Sequence, residues 1–177
     1  METQTASTKK IGVNYGLLLG LVSIAFSVIV WVLGYALERP WWVSVLGTLI
    51  MIAFIVYGLK AFKENNGGFM SLGEGLKTGM AIALIGGILI VVYNYLFFTV
   101  IEPDFVAQVM ENAEKQMYEQ NPNMTEEQAE MGLSMAEKFT SPLMMSIFTM
   151  IGTLFFGFII SLIAGLIMKN NKPAHIE

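Results

Sequence analysis

The chain has 177 residues, 55% hydrophobic and 14% charged, with a mean hydropathy of +0.62 and a formal net charge of −4. That balance excludes an ordinary soluble domain, and the length leaves room for one polytopic membrane domain. Cysteine is absent, which excludes a disulfide framework, a thiolate nucleophile and a Cys-based metal site together.

In chain order, residues 1–10 form a polar lead-in ending in Lys9 and Lys10, and Ile11 to Leu37 then carries no Asp, Glu, Lys, Arg or His. About 20 apolar residues span a bilayer core, so this run reads as a first transmembrane helix over 11–37. Its length far exceeds the roughly 7–15 residues of a signal h-region, so it reads as retained. Glu38-Arg39-Pro40 makes a tight connection, and Trp41 and Trp42 stand where an interfacial aromatic anchor belongs.

The second run, 41–59, is the shortest. Its ten Val, Leu, Ile or Phe residues contribute roughly −3 to −6 kcal/mol to insertion, against about +3 for one central charge, and it contains none. In the following Gly67-Gly68-Phe69-Met70-Ser71-Leu72-Gly73-Glu74 stretch, Ser71 and Glu74 have capping-box spacing, which starts a third helix near Leu72. That helix is expected over 72–101, where Glu102-Pro103 breaks or kinks it.

Glu102 to Pro142 differs from everything around it, with nine acids, two lysines and five methionines. It reads as two amphipathic helices joined at the Asn121-Pro122-Asn123 turn. On the first, Phe105, Val106, Val109, Met110, Ala113 and Met117 share a face away from Glu111, Glu114 and Lys115. On the second, Ala129, Met131, Gly132, Leu133, Met135, Ala136 and Phe139 lie opposite the acids, and Thr125 and Gln128 form a capping box. Matched lengths predict a helical hairpin over the insert 102–141, preferred to a helix pair lying flat on lipid because the polar face is acidic. Ser141 and Pro142 supply the N-cap and first residue of a fourth helix over 142–168, with a polar tail at 169–177.

The fold expected is therefore all-α: a polytopic membrane protein with four transmembrane helices and an amphipathic hairpin between the third and fourth. Placing the N-terminus inside leaves Lys9, Lys10, Lys60, Lys63, Lys77, Lys169 and Lys172 in the cytoplasm, and only Arg39, Lys115 and Lys138 outside. Such asymmetry gives an N-in/C-in topology with an extracytoplasmic hairpin.

Small residues recur four apart at Gly12, Gly16 and Gly20, at Gly75 and Gly79, and at Gly157, Ser161 and Gly165. These stripes read first as close helix packing within one bundle, with a homo-oligomer as the competing use. Asn14 and Asn94 are the candidate polar residues in the membrane, expected to make interhelical hydrogen bonds. Met131 and Met135, one helical turn apart, are a soft-metal pair in principle, but methionine at such spacing reads first as adaptable packing. His175 reads as a solvated tail residue, and no cofactor, catalytic group or nucleic-acid partner is indicated.

The run Gly68-Phe69-Met70-Ser71-Leu72-Gly73-Glu74-Gly75-Leu76-Lys77-Thr78-Gly79, with Tyr93-Asn94-Tyr95 and Ile101-Glu102-Pro103-Asp104, resembles the bacterial membrane-protein family called domain of unknown function 4199. The resemblance extends from about Ile11 to Met168 and implies a small four-helix protein of the bacterial inner membrane. It implies no reaction, ligand or functional residues. The expected function is a non-enzymatic interaction or sensing component working through the hairpin, with an envelope protein as partner; a small transporter or channel component is the alternative.

Overall fold

The computed structural model describes residues 7–172, so His175 lies outside the described residues. Six α-helices follow in order: α1 Thr8–Val32, α2 Trp41–Asn65, α3 Leu72–Leu96, α4 Phe105–Gln120, α5 Glu126–Thr140 and α6 Pro142–Met168. A π-helical turn, Phe97–Ile101, extends α3. Among the described residues there is no strand, only a lone antiparallel bridge between Met70 and Asn170. By length and composition α1, α2, α6 and the 30-residue Leu72–Ile101 run can each cross a membrane. Large apolar side chains cover the outside of these helices, as at Leu21, Val32 and Ile167, which marks a membrane protein whose outer surface meets lipid.

Helix ends depart from the uncharged runs where local chemistry intervenes. α1 starts at Thr8 because the Ser7 side chain accepts from Lys10 N, and it stops at Val32, five residues short of Leu37. Gly34 has φ +80°, and Tyr35 N donates to Val30 O across a six-residue Schellman closure. α2 continues past Leu59 to Asn65, since Lys60, Lys63 and Glu64 sit in its last turns where long charged side chains reach the interface. The Ser71–Glu74 box caps α3, the Thr125–Gln128 box caps α5, and Ser141 caps α6 with Pro142 at its first position. Pro103 lies in the non-helical corner between the π turn and α4.

α3 is the central element, flanked by α1 and α6, with α2 crossing all three. α1 runs parallel to α3 in a constant register: a Cβ added at Gly12, Gly16 or Gly20 would stand 2.7 Å from the Cβ of Ala81, Ile85 or Leu89 respectively. α6 runs antiparallel, setting Gly165 beside Gly75, Ser161 against Gly79 and Gly157 against Ala83. In lipid, where apolar burial drives nothing, such close approach is what holds helices together. All three stripes are thus used inside the chain, and a dimer through the same faces would have to displace α3.

These contacts extend to the end of the bundle where α1 begins and α6 ends. There Met70 and Asn170 exchange backbone hydrogen bonds of 2.8 Å, Asn170 Nδ2 donates to Gly68 O at 3.0 Å, and Lys63 Nζ donates to Met168 O at 3.0 Å. Leu59, Phe62, Met70, Thr78 and Ile82 are buried at or near this end. The opposite end, toward the hairpin, is built differently.

A candidate site beneath the helical hairpin

Beyond Gly20, Gly87 and Gly157 the facing residues of α1, α3 and α6 grow large or polar, and the helices part. α1 supplies Ser27 and Trp31, α3 supplies Tyr93 and Asn94, and α6 supplies Phe148 and Thr149 to a cavity of about 530 Å³. Phe105 and Val109 of α4 line it from the hairpin, and Arg39 lines it from the α1–α2 connection. A second cavity of about 290 Å³ reaches Leu19, Met51 and Ile90 and shares Ser27, Arg39, Asn94 and Thr149 with the first. One polar wall therefore serves two adjoining spaces.

The roof is pinned by aromatic rings. Phe97, buried at the start of the π turn, packs edge-on to Trp31 at 5.7 Å, Phe98 at 5.6 Å and Phe105 at 5.5 Å, and Phe98 stacks on Phe105 at 5.5 Å. Such pairs add about 0.5–1.5 kcal/mol each beyond area burial. The π turn directly precedes a proline corner. Glu102 N donates to Phe97 O at 2.8 Å, five residues back, and Pro103, with no N–H for the carbonyl of Thr99, stops regular α bonding from passing this point. Thr99 Oγ1 donates to Tyr95 O at 2.7 Å on the exposed side. The α4 axis, and with it Phe105, takes its direction from these five residues.

Arg39 is the only arginine in the chain. Its φ of +37° is costly for a residue with a Cβ, and it directly precedes proline. Its backbone N–H donates to Tyr35 O at 3.0 Å, and its guanidinium makes no ion pair among the described residues. No carboxylate lines the cavity, and Arg39, itself exposed, is the one charged residue of its lining. Asn94 Nδ2 donates to Thr149 Oγ1 at 3.3 Å, joining α3 to α6, a bond of the kind worth roughly 0.6 kcal/mol on average between membrane helices.

On α4, Phe105 is buried, Val106, Val109, Met110, Ala113 and Met117 are half-buried, and Glu111, Glu114 and Lys115 are exposed. α5 corrects the grouping of its apolar residues. Ala129, Gly132, Leu133 and Ala136 face inward, with the Met117 methyl seated where a Gly132 Cβ would stand. Met131, Met135 and Phe139, spaced four apart, are 65%, 64% and 59% exposed and form a separate outward ridge. A 3.6-residue period lets one amphipathic helix carry two neighbouring apolar stripes, and only the one over small residues admits the α4 backbone. Met131 and Met135 thus do not pack on α4 in this structure.

Asn14 also departs from expectation, being exposed on the outside of α1 with no side-chain hydrogen bond among the described residues. It begins only two turns into α1, where a polar side chain can still reach the interface. In the α1–α3 register it is level with Ala83, about 16 Å along the axis from Asn94, so the two asparagines do not converge. Ser71 and Glu74 serve the clasped end: Ser71 N donates to Glu74 Oε2 at 2.8 Å. Ser27, Trp31, Arg39, Phe97 and Thr149 were not singled out as site residues by sequence reasoning. A single arginine beside proline, facing the only stretch with adjacent phenylalanines before an acid-proline break, was the available signal for part of this set.

One surface ion pair offers a control on the hairpin itself. Lys115 Nζ lies 2.8 Å from Glu111 Oε1, one turn apart on α4 and both exposed. Its hydrogen bond and charge hold the Glu111 carboxyl below its ordinary value and the Lys115 ammonium above its own. The pair's contribution is present between these ranges, fading as pH falls through the Glu111 range or rises through that of Lys115. Screening makes it small. Lys115→Gln is expected to leave hairpin helicity at pH 7 within error in circular dichroism, and a large loss would give the pair a structural weight its exposure denies.

A family model described as a protein of unknown function (DUF4199) matches residues 14–170. Neither a curated protein nor a solved structure matches the chain.

Proposed function

Because the chain belongs to the DUF4199 family of proteins of unknown function, its role rests on its own geometry, and we propose a non-enzymatic sensing or interaction component acting through the α4–α5 hairpin. One observation carries the reading: the hairpin is the roof of a cavity, with Phe105 and Val109 reaching into a space that the rest of the bundle leaves open. Occupancy of that space and hairpin position are then coupled through the Phe97–Phe98–Phe105 contacts. The exposed Met131, Met135 and Phe139 ridge supplies an apolar surface suited to an envelope protein partner. The lysine asymmetry supports an N-in/C-in orientation in a bacterial inner membrane, with the hairpin on the extracytoplasmic side.

The transporter or channel alternative has less support. A path would have to continue through the glycine-packed half of the bundle, where Gly79 and Ser161 are in direct contact, and the two candidate polar residues lie at different depths. Replacing Asp104–Thr140 with a short Gly-Ser linker tests the proposal. The four-helix bundle should still insert and run as a folded species in mild detergent, while failing to complement a knockout. Full complementation by the deletion overturns the hairpin-centred role, and substrate flux in proteoliposomes would move it to transport.

A further inference from the structure

We propose that the cavity beneath the hairpin binds a single-chain anionic amphiphile, its acid group held by Arg39 and its chain by the aromatic walls. The proposal rests on the hairpin as roof of that cavity and names what fills it. Volume comes first: about 530 Å³ lies within the roughly 300–1,000 Å³ of ordinary small-molecule sites, which are apolar with a few placed polar groups. This lining has that pattern, with Trp31, Phe97 and Phe148 as apolar wall and Ser27, Asn94 and Thr149 as the polar strip.

Charge decides the class of ligand. Arg39 is the sole charged residue of the lining and has no carboxylate partner among the described residues. Arg39 is exposed at the cavity lining, where its guanidinium is free to take an anion, binding carboxylate or phosphate oxygens through two parallel N–H groups. The Arg39 backbone is held in the left-handed region next to Pro40, which fixes where the side chain starts. A purely hydrophilic anion would leave the Trp31, Phe97 and Phe148 surfaces unsatisfied, and a neutral hydrocarbon would leave Arg39 without its counter-charge. An acyl chain with one acid group satisfies both. Carboxylate and phosphate headgroups share this chemistry and are separated by competition.

The full chain in neutral nanodiscs, with Trp41→Phe and Trp42→Phe, leaves Trp31 as the only tryptophan. Undecanoate brominated at its far end is expected to quench Trp31 fluorescence saturably, because the ring lines the cavity. The matching brominated alcohol should quench only in proportion to its partitioning into lipid. Unbrominated undecanoate or lysophosphatidic acid should reverse the quenching, the stronger competitor identifying the preferred headgroup. Arg39→Gln should weaken the carboxylate at least tenfold and Arg39→Lys much less. Val109→Trp, read by displacement of a spin-labelled undecanoate, should block entry with the charge intact. Equal, unsaturable quenching by acid and alcohol, indifference to Arg39→Gln in a variant that elutes as folded protein, or full reversal by inorganic phosphate alone would each overturn the proposal.

Spin labels at exposed Leu33 and Gln108 keep this test separate from that of the sensing role. Saturable binding with an unchanged label distance leaves the ligand assignment standing and removes the coupling to the hairpin. A label distance that responds to partner or lipid composition without saturable quenching does the reverse.

Discussion

Gly79→Val is expected to disrupt the bundle more than any other single substitution in the spans. A side chain there meets Ser161 Oγ directly, with Ser161 Cβ at 2.6 Å and Ile55 Cγ2 at 3.3 Å from the first added carbon. Neither neighbour can retreat: Ser161 is fully buried and its hydroxyl is bonded to Gly157 O, and Ile55 is fully buried on α2. Overpacking a tight core costs about 1–3 kcal/mol or more, and at the top of that range the unfolding midpoint in detergent should fall by on the order of 10 °C. Gly152→Ala on α6 is the matched control. Nothing stands within 4 Å of a Cβ at Gly152, and alanine gains about 1 kcal/mol of helix propensity, so its midpoint should hold or rise. A Gly79→Val protein as stable as the parent would mean that α3 and α6 do not pack in this register.

Deleting Thr99 is expected to turn the hairpin about the axis of α3 while leaving the glycine-packed half intact. A π turn holds one residue more than the α-helix it interrupts, and Phe97–Ile101 is such a turn. Removing one residue restores α spacing and rotates everything after it by about 100°. Phe105 would then leave the Phe97–Phe98 cluster, and Val109 would no longer face the cavity. Thr99 is the residue of choice because it is exposed, and its only side-chain hydrogen bond is local, to Tyr95 O. Distance measurements between labels at Leu33 and Gln108 should show a displaced population, with the unfolding midpoint little changed. An unaltered distance would show that the corner at Glu102-Pro103, rather than the π turn, sets the hairpin direction.

The two predictions separate what could be read from sequence and what could not. Four spans were legible because lipid enforces long runs without charge, and caps such as Ser71–Glu74 and Thr125–Gln128 were legible because they are local. The end of α1 was misplaced at Leu37, since absence of charge tracks the bilayer and not the helix; Gly34 carried the missing information. The π turn is invisible to any 3.6-residue wheel. On α5, Met131, Met135 and Phe139 could not be distinguished from inward residues, because which of two adjacent apolar stripes is covered depends on a partner helix. The cavity was least legible of all. It arises where small-residue spacing stops on three helices at once, and only their register, Gly20 level with Leu89 and Gly87 with Thr153, aligns those three endings.

The parallel pairing of α1 with α3 bears on how the chain is made. α1, which is made before α2 and α3, has its glycine face matched to α3, and its contact with α2 is much the lesser one. The 64 residues from Leu33 to Leu96 must therefore be translated before α1 can dock, roughly 3–13 s at ordinary elongation rates. Until then Gly12, Gly16 and Gly20 lack the α3 side chains they pack against. Arrival of α3 is the event that closes the glycine face of α1.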